Sequence, residues 1–290
     1  MDIFYQLLIN GLLLGGMYAI IAVGLTLIFG VIKVANFAHG ELLMLGMYAV
    51  YLLYKYLGLH PYIAAAPTVV MLFIVGVAIQ RFIIQRLLDA DPEIQIFATV
   101  GLSTALMNLA LLVFGANMFS VQAPALRATL SFGTLSIVGA NIVMFLSSLV
   151  LVSGLHLFLS RTYLGMAIRA TAQNQVAAPL MGININRVYM VTFGIGAGCV
   201  GLAAALVMPI YTVFPTIGTY FVLTAFVIVV LGGMGSIFGA FVGAMIIGVV
   251  DSLSGYYIAP DLKEVVYFLI FITILIVRPT GLFGLGKGSE

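Results

Sequence analysis

The chain has 290 residues, 63% of them hydrophobic and only 7% charged, with a formal net charge of +2. One soluble core cannot hold that much apolar surface, because soluble domains carry roughly 25% charged residues. Lipid is therefore the expected solvent for much of the chain, and no nucleic-acid partner is expected.

Hydrophobic blocks of about 20 residues, the length that crosses a bilayer, recur along the sequence. The first, 3–30, follows Asp2 and contains no Lys or Arg before Lys33. It is read as a mature helix rather than a cleaved signal peptide, which would begin with a basic segment. The second, 42–57, is preceded by KVANFAHGELLMLG (33–46), where Asn36, His39, Gly40 and Glu41 stand between apolar runs. Blocks 62–84 and 94–114 follow, the latter carrying Ser103, Thr104 and Asn108. Thr104 and Asn108 are four apart and share one helix face, where they line a pathway or bond across helices. After block 139–159 comes a polar interruption, RATAQNQVAAPLMGININR (169–187). Block 188–208 holds the lone Cys199, which can form neither an intrachain disulfide nor a metal cluster. Blocks 220–250 and 264–277 close the series. Apolar side chains on every face suit helices rather than an alternating β-barrel pattern. The expected fold is all-α, a polytopic transmembrane bundle of about eight to nine spans in a single domain covering 1–290.

Basic residues orient the bundle. From Arg81 onward, Arg81 with Arg86, then Arg161, Arg169 and Arg187, then Arg278 and Lys287 form three clusters, against Arg127 and Lys263 elsewhere. The positive-inside rule places those clusters, the 160–187 segment and the C-terminus in the cytoplasm. Counting three crossings back from Arg81 places the N-terminus outside. Between Arg187 and Arg278 the number of crossings is then even, with Asp251 to Lys263 as an outer loop. Block 220–250, too long for one span and too short for two, must hold a broken or re-entrant pair around LGGMGSIFGAFVGA, near 228–243. Together with the break near 33–46, this gives paired interruptions, the pattern of a transporter whose discontinuous helices expose backbone groups near the midplane. Asn36, His39 and Glu41, the Ser103, Thr104 and Asn108 set, and Gly232, Gly233 and Gly235 are the candidate pathway residues. Packing glycines and an ordinary turn are the competing explanations.

Other polar residues are read as follows. Asp251 ends an apolar block and is expected at the interface, although an intramembrane carboxylate is functional by default. His60 and His156 are isolated interfacial residues. Gly281, Gly286 and Lys287 imitate a phosphate loop, but Gly288 stands where Ser or Thr is needed and no strand precedes them. No spacing matches a metal site or a nucleophilic triad, so there is no catalytic residue, no metal and no cofactor to assign.

Three stretches, GLLLGGMYAIIAVGLTLIFGVIKVANFAHGELLMLGMY, RTYLGMAIRATAQNQVAAPLMGI and VVLGGMGSIFGAFVGA with the later RPTGLFG, carry a family resemblance over nearly the whole length. The chain resembles the permease subunits of bacterial ABC importers for branched-chain amino acids, a group that also serves urea and short amides. The resemblance implies an inner-membrane subunit working with a second, related permease, two cytoplasmic ATPases that bind ATP and magnesium, and an external substrate-binding protein. It further implies that 160–187 couples to the ATPase through Arg169, Gln173, Asn174, Ala177, Ala178 and Gly182. Ala177, Ala178 and Gly182 match the Ala-Ala-three-Gly spacing of the importer loop, whereas Val176 replaces the usual glutamate and Pro179 follows the alanines. Branched-chain amino acids are the first substrate expectation, and urea or an amide the second. A self-sufficient secondary transporter or channel is the rival class, but it usually shows intramembrane charges in series, and no acid occurs between Glu93 and Asp251.

Overall fold

The structure is a computed structural model that describes residues 2–123, 126–132, 135–260 and 262–284. Gly286, Lys287 and Gly288 of the phosphate-loop imitation lie outside those residues. In chain order the helices are α1 (Asp2–Ile32), α2 (His39–Leu57), α3 (Ala65–Phe82), α4 (Pro92–Phe114), α5 (Gly139–Arg161), α6 (Tyr163–Gln173), α7 (Ile185–Val207), α8 (Ile217–Gly232), α9 (Ile237–Tyr257) and α10 (Lys263–Val277). The chain is an all-α polytopic bundle. Six segments are long and apolar enough to cross a membrane: Ile3–Ile32, Ala65–Arg86, Pro92–Phe114, Gly139–Arg161, Ile185–Val207 and Ile237–Tyr257. The apolar helices α2, α8 and α10 are shorter, at 19, 16 and 15 residues. One two-stranded antiparallel hairpin, β1 (Thr129–Phe132) with β2 (Leu135–Val138), was not expected from the hydropathy pattern.

The centre is built on α1 and α7, whose spanning windows are 83% and 78% buried, against 11% and 22% for α4 and α5 at the rim. Close approach is made possible by small residues, as is usual where lipid supplies no hydrophobic drive between helices. Gly11 and Gly15 lie against Ala244, Gly248 and Val249 of α9, and a Cβ on Gly11 would stand 2.6 Å from the Val249 Cα. Gly24 meets Gly196 of α7 in the same way.

The bundle has two chemically distinct ends. At the basic end the last turn of α1 lies near Gly235 and receives Gln175, and Gln85 bonds Asn186 at 2.9 Å. The Arg278 segment folds back there, with Leu282 N donating to Leu231 O and Phe283 N to Gly232 O. At the opposite end Gln6 makes two bonds to Ser136 of the hairpin, at 2.7 and 2.8 Å.

Two helices begin inside the bundle rather than at an end. Lys33, at φ 62, terminates α1 in the left-handed conformation typical of helix ends. Segment 33–38 then turns back, so that the His39 ring lies 3.1 Å from the carbonyl of Ile21. Ile21 precedes Ile32 by eleven residues, so α2 starts about 16 Å inside the bundle. Segment 208–216 does the same from the other side. Gly46 packs on Ala204 near the end of α7 while Gly40 meets Gly218 at the start of α8, which puts that start about 13 Å below the end of α7. The two units, α1 to α2 and α7 to α8, run in opposite senses, and α2 and α8 meet N-terminus to N-terminus.

The expected break near 228–243 falls at 233–236, between α8 and α9. Asp251 corrects its sequence reading: α9 continues to Tyr257, so the residue is a 3% exposed group within a helix rather than the start of an outer loop.

Candidate functional site

The polar interruption forms α6 and a one-turn 3-10 helix, Ala178–Met181. Thr162 caps α6 by accepting from Gly165 N at 3.0 Å, the oxygen-to-amide contact that satisfies a first-turn N–H. Gly165, Ala167, Ile168 and Thr171 face inward. Asn174 Oδ1 accepts from Val176 N and Ala177 N at 3.0 and 2.9 Å and sets the following turn. Gly182, at φ 78, closes that turn in a conformation L side chains rarely adopt, and Asn184 caps α7. Arg169, Gln173, Asn174 and Gly182 are exposed, Ala177 is half-buried and Ala178 is buried.

Sequence spacing missed the surface this produces. Val176, Leu180 and Met181 stand 83%, 84% and 81% exposed beside a groove of about 420 Å³ lined by Tyr163, Met166, Gln173 and Ala177. Apolar side chains raised this far from the bundle mark a partner surface. Gln175, also missed, donates to Val31 O at 2.8 Å. That carbonyl is one of those left open at a helix C-terminus, so the segment is fastened directly to the last turn of α1.

Four of the candidate pathway residues, Asn36, His39, Glu41 and Ser103, gather where α2 and α8 begin. Asn36 Oδ1 accepts from Ala38 N at 3.1 Å and shapes the turn into α2. His39 lies against α1, and Glu41 Oε1 accepts from Ser103 Oγ of α4 at 3.3 Å. Thr99, also on α4, donates to Ala35 O at 3.0 Å. Glu41 Oε2 lies over Gly218, where a Cβ would come within 2.6 Å of it. The carboxylate thus sits in the first turn of α2 and against the first turn of α8, where both helix dipoles favour negative charge. Asn36, His39 and Glu41 are at most 1% exposed, yet Asn36 Nδ2, His39 Nδ1 and Glu41 Oε2 have no partner among the described residues.

The other candidates lie elsewhere. Thr104 and Asn108 are exposed on α4 and bond their own helix, to Val100 O and Thr104 O. Gly232 packs on Gly239, Gly233 on the 283–284 backbone and Gly235 on Gly30, with φ 101 at Gly233 and 91 at Gly235. These glycines build the basic-end turn, about 16 Å from the level of Glu41 by the α1 scale. Cys199 is buried, and among the described residues no three His, Cys, Asp or Glu side chains are grouped to hold a metal.

Residues 7–275 match the family model described as "Branched-chain amino acid transport system / permease component". The chain belongs to this family. The permease is 34% identical to the high-affinity branched-chain amino acid transport system permease protein BraD of Pseudomonas aeruginosa, over 97% of this chain and 96% of the relative. It is 33% identical to LivH of Escherichia coli strain K12, with the same coverage. A probable branched-chain amino acid transport permease protein, LivH of Methanocaldococcus jannaschii, is 27% identical over 98% of this chain and 94% of the relative. No solved structure matches it. The permease is a multi-pass transporter chain, with one polar region on a bundle end and one at mid-depth.

Proposed function

We propose that this permease forms half of the translocation pathway of an ATP-driven importer for branched-chain amino acids in the inner membrane, with its basic end and C-terminus in the cytoplasm and its N-terminus outside. It works with a second, related permease, two ATPases that bind ATP and magnesium, and an external binding protein. The observation that carries this reading is the bond from Gln175 to Val31 O. The exposed knuckle of Val176, Leu180 and Met181 docks on the ATPase, and any displacement passes through Gln175 to the end of α1. From there the chain runs through 33–38 to Asn36, His39 and Glu41. Closure of the motor therefore shifts the junction of α2 and α8, where two helix N-termini present polar groups in a way that suits a small polar solute.

The test is reconstitution. Vesicles holding both permeases and both ATPases take up a branched-chain amino acid only with ATP and loaded binding protein. Uptake by this chain alone would sink the reading.

A further inference from the structure

A second polar network lies outside the coupling route. The Asp251 carboxylate of α9 has a 4% exposed side chain and meets Lys263 Nζ through Oδ1 at 3.0 Å. Its Oδ2 accepts from the Tyr18 hydroxyl of α1 at 2.6 Å. Lys263 is the first residue of α10, 28% exposed, with its ammonium 5.8 Å from the centre of the Tyr220 ring. Tyr220 follows Gly218 and Thr219, so the pair borders the same α8 N-terminus that Glu41 touches. Tyr18 is three residues from Ile21, so its backbone lies about 5 Å along α1 from the level of His39, and its side chain reaches from there to the Asp251 carboxylate.

Charges this deep are costly and are retained for a use. Parting them to open a passage would strand two unpaired charges, which is worse than having neither. A solute carrying one charge of each sign removes that obstacle, because it re-pairs both.

We propose that Asp251 and Lys263 form an exchange site for the main chain of a zwitterionic amino acid. The substrate ammonium takes the place of Lys263 on Asp251 Oδ1, and its carboxylate takes the place of Asp251 on Lys263 Nζ. Tyr18 keeps its bond to Oδ2 throughout. Urea or a neutral amide carries no charges to exchange, so the pair selects amino acids over those solutes. This inference rests on the amino-acid reading given above.

The complete importer in vesicles, supplied with ATP, binding protein and radiolabelled leucine, tests it through Asp251→Asn, Lys263→Met and the double variant. All three lose uptake by about tenfold or more, while ATP hydrolysis stimulated by the loaded binding protein persists. A pair that only held helices together would be replaced adequately by the neutral double, so recovery of uptake in the double overturns the proposal. Lys263→Arg, which keeps the cation, retains uptake. Loss there equal to that of Lys263→Met also overturns it. Absence of leucine uptake in the unaltered importer would instead defeat the substrate reading.

Discussion

Glu41 and Gly218 show how one residue pair fixes the junction of the α2 and α8 N-termini. An alanine methyl at position 218 would stand 2.6 Å from Glu41 Oε2 and 2.7 Å from the backbone carbonyl carbon of Gly40. Neither neighbour can yield, because Glu41 is held by Ser103 and Gly40 belongs to α2. Gly218→Ala is therefore expected to cost about 1–3 kcal/mol, the range for overpacked sites. Gly154 provides the contrast: it is on α5 with nothing within 4 Å of an added Cβ. There alanine gains up to about 1 kcal/mol of helix propensity. Thermal unfolding of the purified complex in detergent separates the two, and an equal midpoint for both variants would remove the packing argument. Neither behaviour is legible in the sequence, where both residues are glycines in apolar runs.

At the scale of elements, the coupling segment divides its work between docking and transmission, and substitutions can separate them. Leu180→Asp puts a charge on the exposed knuckle without disturbing the bundle, since Leu180 is 84% exposed. The ATPase should then fail to co-purify. Gln175→Ala leaves the knuckle in place but removes the bond to Val31 O, a loss of about 0.5–1.5 kcal/mol. Association should survive, with less solute moved per ATP hydrolysed. The ratio of uptake to hydrolysis is the readout, and an unchanged ratio in Gln175→Ala would rule out this bond as the transmitter. Gly182→Val belongs to the same group: its penalty comes from φ 78 rather than from crowding, since nothing lies within 4 Å.

Elements also show where sequence reading stops. The helices, the break near 233–236 and the polar interruption were visible because hydropathy reports composition along the chain. The return segment 208–216 showed only as the interval between blocks 188–208 and 220–250, and its re-entry into the bundle was not visible, because its MPIYTVFPT is nearly as apolar as its flanks. An apolar irregular stretch and an apolar helix have the same hydropathy. Pro209 and Pro215 were the available signal, since proline disrupts a helix interior. Asp251 misled for the opposite reason: a charge near the end of an apolar block looks like an exit from the membrane. Only its partner Lys263, brought to 3.0 Å by the α9 to α10 connection, shows why it stays inside.

On the scale of the whole molecule, the two inverted units place the α8 N-terminus at mid-depth and leave one of its faces uncovered. Thr216 and Thr219 are exposed, and Leu223 is 43% exposed. Their spacing of three and four residues makes one stripe, beginning beside Glu41 and running toward the basic end. Hydroxyls at that depth gain little from lipid, whereas the neighbouring Thr104 and Asn108 tolerate it by bonding their own helix. The stripe is therefore expected to face the space between this permease and its partner, and that space must change as the motor cycles. Cys199 is the lone cysteine and is buried, so after Cys199→Ala a cysteine placed at position 219 reports its surroundings without background. A membrane-impermeant thiol reagent should modify Thr219→Cys at different rates in the nucleotide-free and nucleotide-trapped importer. Leu112→Cys, at an 84% exposed position on the rim helix α4, should stay unmodified in both. If Thr219→Cys is equally silent in both states, the face lies against lipid or a sealed interface, and the pathway must run elsewhere.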